Sequence, residues 1–408
     1  MTAHILSHRP PCIASFTVYC SLSRPQSRWF RATAFRWRVP SVTSSKLRVA
    51  VLYQELDPPI INGVRKPRKP GGYQDSGADI AFVLQEKCGI DVVTPISSPS
   101  AANDDGWSFP DTEGGILSAI DQGATHLWAN TILFASHPLQ TSARLQAHEE
   151  HIRIVGQPPN LVERFDDKAY LNDLLRSRIE LPMPKAWTVR SKLDLSKFLA
   201  KAELPFPIVS KPVRGRGSYG VKVCQTSNIL REHVVKLLNE SSAVLLEEFL
   251  KGEEGTVTVM PPTTEKPEYW AMPVVLRFNH KENIAPYSGV VAVTQNSGVL
   301  SDEEAVRRPQ FKKAQQQCEA VAELLNVTAP IRIDIRGFTD ASNSELALFD
   351  INMKPNMTGP GRPGRGDQSS LTAIAATSLG WDYPMLLRYI LGTAQSLGTL
   401  RTLQPEIL

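Results

Sequence analysis

The most constraining stretch of the chain runs from Ala329 to Thr358. It reads A-P-I-R-I-D-I-R-G-F, then a polar turn, then E-L-A-L-F-D-I-N-M-K-P-N-M-T. In the first half Ile331, Ile333 and Ile335 alternate with Arg332, Asp334 and Arg336. A strand repeats its facing every two residues, so Arg332 and Asp334 share a face, as do Asp350 and Asn352. The D-A-S-N-S between them is turn chemistry, which predicts an antiparallel hairpin. Such a hairpin gathers an arginine, two carboxylates and a side-chain amide on one surface. Oxygen donors at this density suit Mg²⁺, which takes one or two carboxylates and completes its shell from phosphate. A solvated sheet face has the same alternation, so the hairpin alone leaves both readings open.

A second feature is Lys211 to Val223, K-P-V-R-G-R-G-S-Y-G-V-K-V. Gly215, Gly217 and Gly220 satisfy G-x-G-x-x-G, but the motif does not open a helix, as a dinucleotide site requires; V-K-V-C continues as a strand. There is no Gly-Lys-Ser/Thr, and neither H-R-D nor D-F-G follows, which excludes a P-loop and a protein kinase. What remains is a strand–glycine loop–strand with a lysine at its entrance. Glycines admit phosphates close to the backbone and Lys211 supplies charge; an ordinary glycine-rich hairpin is the other reading.

The 408 residues leave room for two or three domains, and no run approaches a membrane span. Eight of the 45 basic residues and none of the 41 acidic ones fall in Met1–Ala50, which leaves the body 37 against 41. The acidic body argues against nucleic acid, despite the overall net charge of +4. Residues 1–46 are Arg- and Ser-rich, acid-free, and carry Trp29, Phe30, Phe35 and Trp37, which reads as a transit peptide or a disordered start. With no secretory h-region, the expected location is cytoplasmic or mitochondrial. The five cysteines form no CxxC and no metal spacing, as in a reducing compartment.

Strand and helix signals alternate up to about residue 158, predicting an open parallel sheet with crossover helices. Strands are expected at 46–53, 91–94 and 125–130, helices at 75–88 and 116–122, and a long loop at 55–72, with 152–156 closing the domain. Beyond it the pattern predicts a helix over 165–178, strands at 204–209, 220–224, 243–250, 255–260 and 271–278, and helices at 228–238, 308–325, 370–379 and 383–391.

Together these pieces resemble the ATP-grasp superfamily, most closely its D-alanine–D-alanine ligase branch. P-I-V-S-K-P-V-R-G-R-G-S-Y-G-V (207–221) resembles the lysine and flexible loop of that branch, and L-L-E-E-F-L-K-G-E-E-G-T-V (245–257) its adenine hinge and ribose segment. I-R-I-D-I-R-G-F and L-F-D-I-N-M-K-P-N-M-T resemble its two metal-binding strands, and F-D-D-K (165–168) falls at its first ATP lysine. The resemblance implies an α/β fold: a leader (1–46), an open parallel-sheet N-terminal domain (47–158), a two-subdomain ATP-grasp domain (159–395) and a tail (396–408). It implies that Lys168 and Lys211 contact ATP phosphates, that Glu247, Glu248 and Leu250 form the adenine hinge, and that Glu254 holds the ribose. Ser218 falls in the closing loop, Asp334, Asp350 and Asn352 would bind two Mg²⁺ ions (Mn²⁺ as a substitute), and Arg332 would stabilise the oxyanion.

The implied activity is ADP-forming ligation of a small carboxylate to an amine through an acyl phosphate, by a homodimer, with no nucleic-acid or membrane partner. A carboxylase-like or glutathione-synthetase-like acceptor chemistry, or a nucleotide-binding module without turnover, are the alternatives. Three departures bear on the substrates. Asp350 stands where the family has glutamate. A glycine-rich opening in the first domain is replaced by the 55–72 loop. The loop after Thr358 is expanded by G-P-G-R-P-G-R-G, which places Arg362 and Arg365 near the expected acceptor pocket. Arg277, Asn279 and Tyr287 are candidates to face substrate, or structural. His148-Glu-Glu-His151 has the wrong spacing for zinc.

Overall fold

The computed structural model describes residues 47–405 except 62, 67, 202–203, 216, 281–283 and 285–292, so the basic leader and Tyr287 lie outside the described residues. The chain opens with β1 (Arg48–Tyr53), whose Val49–Leu52 are fully buried, as a strand covered on both faces must be. The 55–72 segment is an excursion that leaves the end of β1 and returns to it. It forms a small hairpin, β2 (Ile60–Ile61) with β3 (Val64–Arg65), and ends at Gly71–Gly72. Gly72 has φ +54° and its missing Cβ would lie 2.1 Å from the Gln54 carbonyl oxygen, so no side chain fits there. Gln54 N donates to Gly72 O at 2.8 Å, which fastens the loop.

From that turn α1 (Gln74–Glu86) starts, burying Ile80, Val83 and Leu84 against the sheet. Next come β4 (Asp91–Val92), β5 (Phe109–Pro110), α2 (Glu113–Asp121), β6 (His126–Asn130), α3 (Pro138–Thr141) and β7 (Arg153–Val155). β4, β5 and β6 pair in parallel with β1, and β7 in parallel with β6. Tyr73 and Asn130 stand at the carboxyl ends of these strands, the edge where open parallel sheets receive ligands.

The expected helix over 165–178 is α5 (Lys168–Arg178), starting three residues later, and a separate helix α4 (Pro159–Phe165) precedes it. Asp167 caps α5, accepting from Tyr170 N at 3.1 Å, so the paired aspartates break the run. The break makes Lys168 the first residue of α5.

β8 (Ala186–Val189), β9 (Ile208–Pro212), β10 (Lys222–Cys224) and β11 (Val244–Glu248) form a four-stranded antiparallel sheet in the order β10-β9-β11-β8. α6 (Lys192–Lys201) and α7 (Ser227–Leu237) belong to this unit, Leu195, Leu230 and Val234 being buried in its core. β9 begins four residues later than expected, because Pro205 and Pro207 have no N–H for the ladder. The shift puts Lys211 inside the strand, opposite Leu245.

A third sheet runs β15-β14-β12-β16-β17, with β12 (Glu254–Met260), β13 (Trp270–Ala271) pairing β12, β14 (Val275–Arg277), β15 (Ser297–Val299), β16 (Ile331–Gly337) and β17 (Leu346–Asn352). α8 (Asp302–Arg307) and α9 (Pro309–Leu324) precede β16, and α9 packs Phe311, Ala314, Cys318 and Val321 into the core that also holds Ile331, Ile333 and Ile335. The hairpin is antiparallel as its alternation predicts, with Arg332 opposite Asn352 and Asp334 opposite Asp350.

Two further helices, α10 (Leu371–Ser378) and α11 (Tyr383–Leu391), lead back to the first sheet. The segment expected as a tail is structured through residue 402: β18 (Gln395–Ser396) pairs antiparallel with β7, and α12 (Leu397–Thr402) buries Leu397 and Leu400 completely. Arg401 locks it, donating to the Leu139 and Ser142 carbonyls and pairing with Glu149 at 2.7 Å. No helix among the described residues is long and apolar enough to cross a membrane.

His126 on β6 gives a check on this packing. Burial first, and then Arg153, pull its pKa from 6.5 to about 4. The unfolded chain therefore binds a proton that the folded one refuses, so the contribution is intact above pH 6.5 and lost as pH falls toward 4. In urea titrations at pH 7 and pH 5, His126→Gln should lose less stability between the two pH values than the wild type does.

Candidate active site

Lys168, Lys211, Ser218, Glu247, Glu248, Leu250, Glu254, Arg332, Asp334, Asp350 and Asn352 line one open cleft between the four-stranded sheet and the third sheet. They come from the start of α5, the β9–β10 loop, the end of β11, the start of β12, and β16 with β17. The cleft's arrangement begins with a bulge. In strict alternation Leu348 and Asp350 would share a face, yet Leu348 is buried in the core and Asp350 faces the cleft. The register steps between Asp334 and Ile335: Asp334 meets Asp350, but Ile335 meets Leu348, and Phe349 is the extra residue. A bulged residue leaves the ladder. The Phe349 carbonyl is thereby available to Lys211 Nζ, which donates to it at 3.1 Å.

Charge in the cleft is paired with charge. Lys168 Nζ contacts Asp350 Oδ1 at 2.6 Å, and Lys211 Nζ contacts Glu247 Oε2 at 2.7 Å with both side chains about 5 % exposed or less. Glu247 Oε1 also accepts from Asn172 Nδ2 at 3.2 Å. Arg332 donates through Nε and Nη2 to the two Asp334 oxygens at 3.1 and 3.4 Å, and Thr256 Oγ1 donates to Asp334 Oδ1 at 2.6 Å. Burial pushes the Asp350 carboxyl up, but Lys168, Lys211 and Arg332 together outweigh it and hold it below the usual carboxylate value. Burial likewise opposes the charged form of Lys168, and Asp350, Asp166 and Glu247 raise it above its ordinary value. The face therefore keeps its carboxylate ionised and its lysine protonated.

Glu254, 4 % exposed, accepts from His280 Nε2 at 3.0 Å and from Arg336 Nη1 at 3.4 Å. Glu248 and Leu250 follow along the cleft edge where β11 ends. Ser218 lines the cleft from the glycine loop in a left-handed conformation, φ +60°. Thr256, Asn172 and His280 were not legible beforehand. Thr256 had a signal, since it alternates with Glu254 on β12; Asn172 and His280 had none, as their partners are distant in the chain.

Asp334, Asp350 and Asn352 fit a Mg²⁺ site that is finished by another molecule. Two carboxylates and one amide face the cleft, and among the described residues no group of three or more His, Cys, Asp or Glu side chains could hold a metal alone. This is the donor set of an ion that completes its shell with phosphate oxygens.

The inserted loop after Thr358 behaves differently from the sequence expectation. Arg362, 4 % exposed, does not face an acceptor pocket; its backbone N and Nε donate to Asp79 Oδ1 on α1 at 3.2 and 2.9 Å. Arg365 Nε donates to Asp79 Oδ2 at 2.6 Å and reaches Asp75 at 3.5 Å. Asp79 has no exposed surface, so burial of its charge requires both arginines. Gly361 permits the approach, because a Cβ there would lie 2.3 Å from the Asp79 carboxyl carbon. From this anchor Asp367, Gln368 and Ser369 line the cleft. Arg277 also lines it, whereas Asn279 donates to the Gln295 carbonyl instead.

The family model described as D-ala D-ala ligase C-terminus matches residues 177–392. The chain belongs to this family. The D-alanine–D-alanine ligase of Pelagibacter ubique is 37% identical over 205 residues, 50% of this chain and 59% of that protein. That of Aquifex aeolicus is 28% identical over 193 residues, 46% of this chain and 56% of that protein. The matched region thus spans a little over half of these relatives. Among solved structures, D-alanine–D-alanine ligase from Bacillus anthracis complexed with ATP aligns with a TM-score of 0.55 at 17% identity, covering 85% of this chain and 97% of that one. VanG D-Ala:D-Ser ligase from Enterococcus faecalis aligns at 0.54 and 13%, covering 86% and 99%. The likeness shows the fold: α/β, with the ATP-grasp arrangement behind a parallel-sheet domain.

The clamp predicts a stability asymmetry. Arg362→Ala leaves the Asp79 charge buried beside one arginine and should lower unfolding free energy by about 3–5 kcal/mol. Arg365→Ala, at a site 27% exposed, should cost less in the same urea titration.

Proposed function

We propose that this protein is an ATP-dependent carboxylate–amine ligase, joining small amino-acid-like substrates through an acyl phosphate and releasing ADP and phosphate. The observation that carries the reading is the convergence of lysines, hinge, carboxylates and Arg332 from separate segments on one cleft, in the family's order. The proposed catalytic unit is the 159–395 region, with the first domain closing one side.

In this reading ATP lies with its adenine at Glu247, Glu248 and Leu250, its ribose at Glu254, and its phosphates at Lys168 and Lys211. Both lysines hold carboxylate partners in the structure, so nucleotide binding exchanges a carboxylate for phosphate without leaving an ammonium uncompensated. Two Mg²⁺ ions held by Asp334, Asp350 and Asn352 would neutralise phosphate charge. A substrate carboxylate oxygen attacks the γ-phosphorus, the bond to the β-bridging oxygen breaks, and ADP leaves. A neutral amine then attacks the acyl carbon, and the Arg332 guanidinium stabilises the oxyanion that forms there. Collapse breaks the acyl carbon–oxygen bond, phosphate departs, and the amine gives up its proton. No side-chain nucleophile takes part. Ser218 and its loop, with Asp367–Ser369 opposite, exclude water from the acyl phosphate.

The test is ADP and phosphate release with Mg·ATP, amino acids being supplied singly and in pairs. Turnover that needs both a carboxylate and an amine is expected; nucleotide binding without turnover across a broad panel would leave a non-catalytic module. Asp334→Asn and Asp350→Asn should each lower kcat by roughly 10²-fold or more while the fold is retained, as removal of charge stabilisation does elsewhere. Lys168→Met should chiefly raise KM for ATP.

A further inference from the structure

Resting on the ligase reading, we propose that the first-domain wall of the cleft selects an acidic amino acid, one carrying an ammonium and two carboxylates. The wall is built round the Tyr73 ring, which lines the cleft together with Lys69, Asp75 and Lys354. Lys354 Nζ stands 3.4 Å from the ring centroid and Lys69 Nζ 4.3 Å from it. The aromatic face attracts both cations and fixes where their charge lies.

Lys354 is held there by an oriented amide. Asn130, 4 % exposed, donates Nδ2 to Tyr73 O and to Ser76 Oγ, each at 3.0 Å. With both donors spent on the start of α1, the amide turns its oxygen to Lys354 Nζ at 3.2 Å. Lys69 reaches Asp75 at 3.9 Å, and Asp75 is also met by Arg365. The Asp79 clamp ties the first turns of α1 to the inserted loop that follows Lys354.

The wall thus presents two ammoniums and one carboxylate on fixed backbone. An acidic amino acid carries the complementary set: its ammonium faces Asp75, and its two carboxylates face Lys354 and Lys69. A neutral side chain offers only one of the two carboxylates this wall holds. Ammonium–carboxylate hydrogen bonds in a partly buried cleft are about twice as strong as neutral ones, enough to select.

The test is equilibrium binding by calorimetry. Glutamate and alanine, each as both enantiomers, are titrated into the full chain with Mg·ADP present, for wild type, Lys354→Met and Lys69→Met. One glutamate enantiomer should bind at least about tenfold tighter than either alanine, and Lys354→Met should bring the two amino acids within about threefold. Lys69→Met carries the test if Lys354→Met does not fold. Equal binding, binding of neither, or a preference that survives both substitutions overturns the proposal. Absence of ADP release with every acid–amine pair ends the ligase reading while the binding preference is still measured. Turnover of alanine without preference for glutamate overturns only the selectivity.

Discussion

The pairing of β16 with β17, and the one-residue bulge at Phe349, is the constraint on which the site depends. Strict alternation would place Asp350 on the core face with Leu346 and Leu348. One extra residue turns Asp350 and Asn352 to the cleft, opposite Asp334 and Arg332, while Leu346 and Leu348 stay buried against α9. The same bulge frees the Phe349 carbonyl for Lys211, a residue of a different sheet. A single backbone irregularity therefore sets the facing of Asp350 and Asn352 and ties the two sheets across the cleft.

Around that hairpin, buried charge is tolerated because each charge is matched. Lys168 with Asp350, Lys211 with Glu247, Arg332 with Asp334, and Arg336 with Glu254 form neutralising pairs at the cleft's depth. Such pairs are weak sources of stability but costly to break on one side only. In the proposed reading, a polyanionic ligand with divalent cations would exchange partners here while keeping the number of compensated charges.

The first domain contributes less through its sheet than through what hangs on its edge. The 55–72 excursion returns at Gly71–Gly72 and launches α1 with Tyr73 and Asp75 toward the cleft. Asp79, one turn further, captures Arg362 and Arg365 from a loop almost at the other end of the chain. β18 and α12 complete the first sheet from the far terminus. Both ends of the described chain thus brace the same wall.

What the sequence alone determined was local and periodic. The Ile-x-Ile-x-Ile alternation decided a half-buried strand, the turn residues decided a hairpin, and the strand–glycine loop–strand order excluded other nucleotide folds. These follow from nearest-neighbour sterics and from the two-residue period of a strand. The sequence also marked candidate site residues that line the cleft, because their types and spacing resemble those of a family. It could not locate the bulge, since one inserted residue leaves composition and apolar content unchanged. It pointed Arg362 and Arg365 at substrate, because charge in a glycine loop looks solvent-facing until a buried aspartate is brought to it. It left the last residues as a tail, because two short apolar turns gain meaning only against β7 and α3. Tertiary structure decided these, for one physical reason: a buried charge, a bulge and a two-residue edge strand are stable only beside partners that the chain brings from elsewhere.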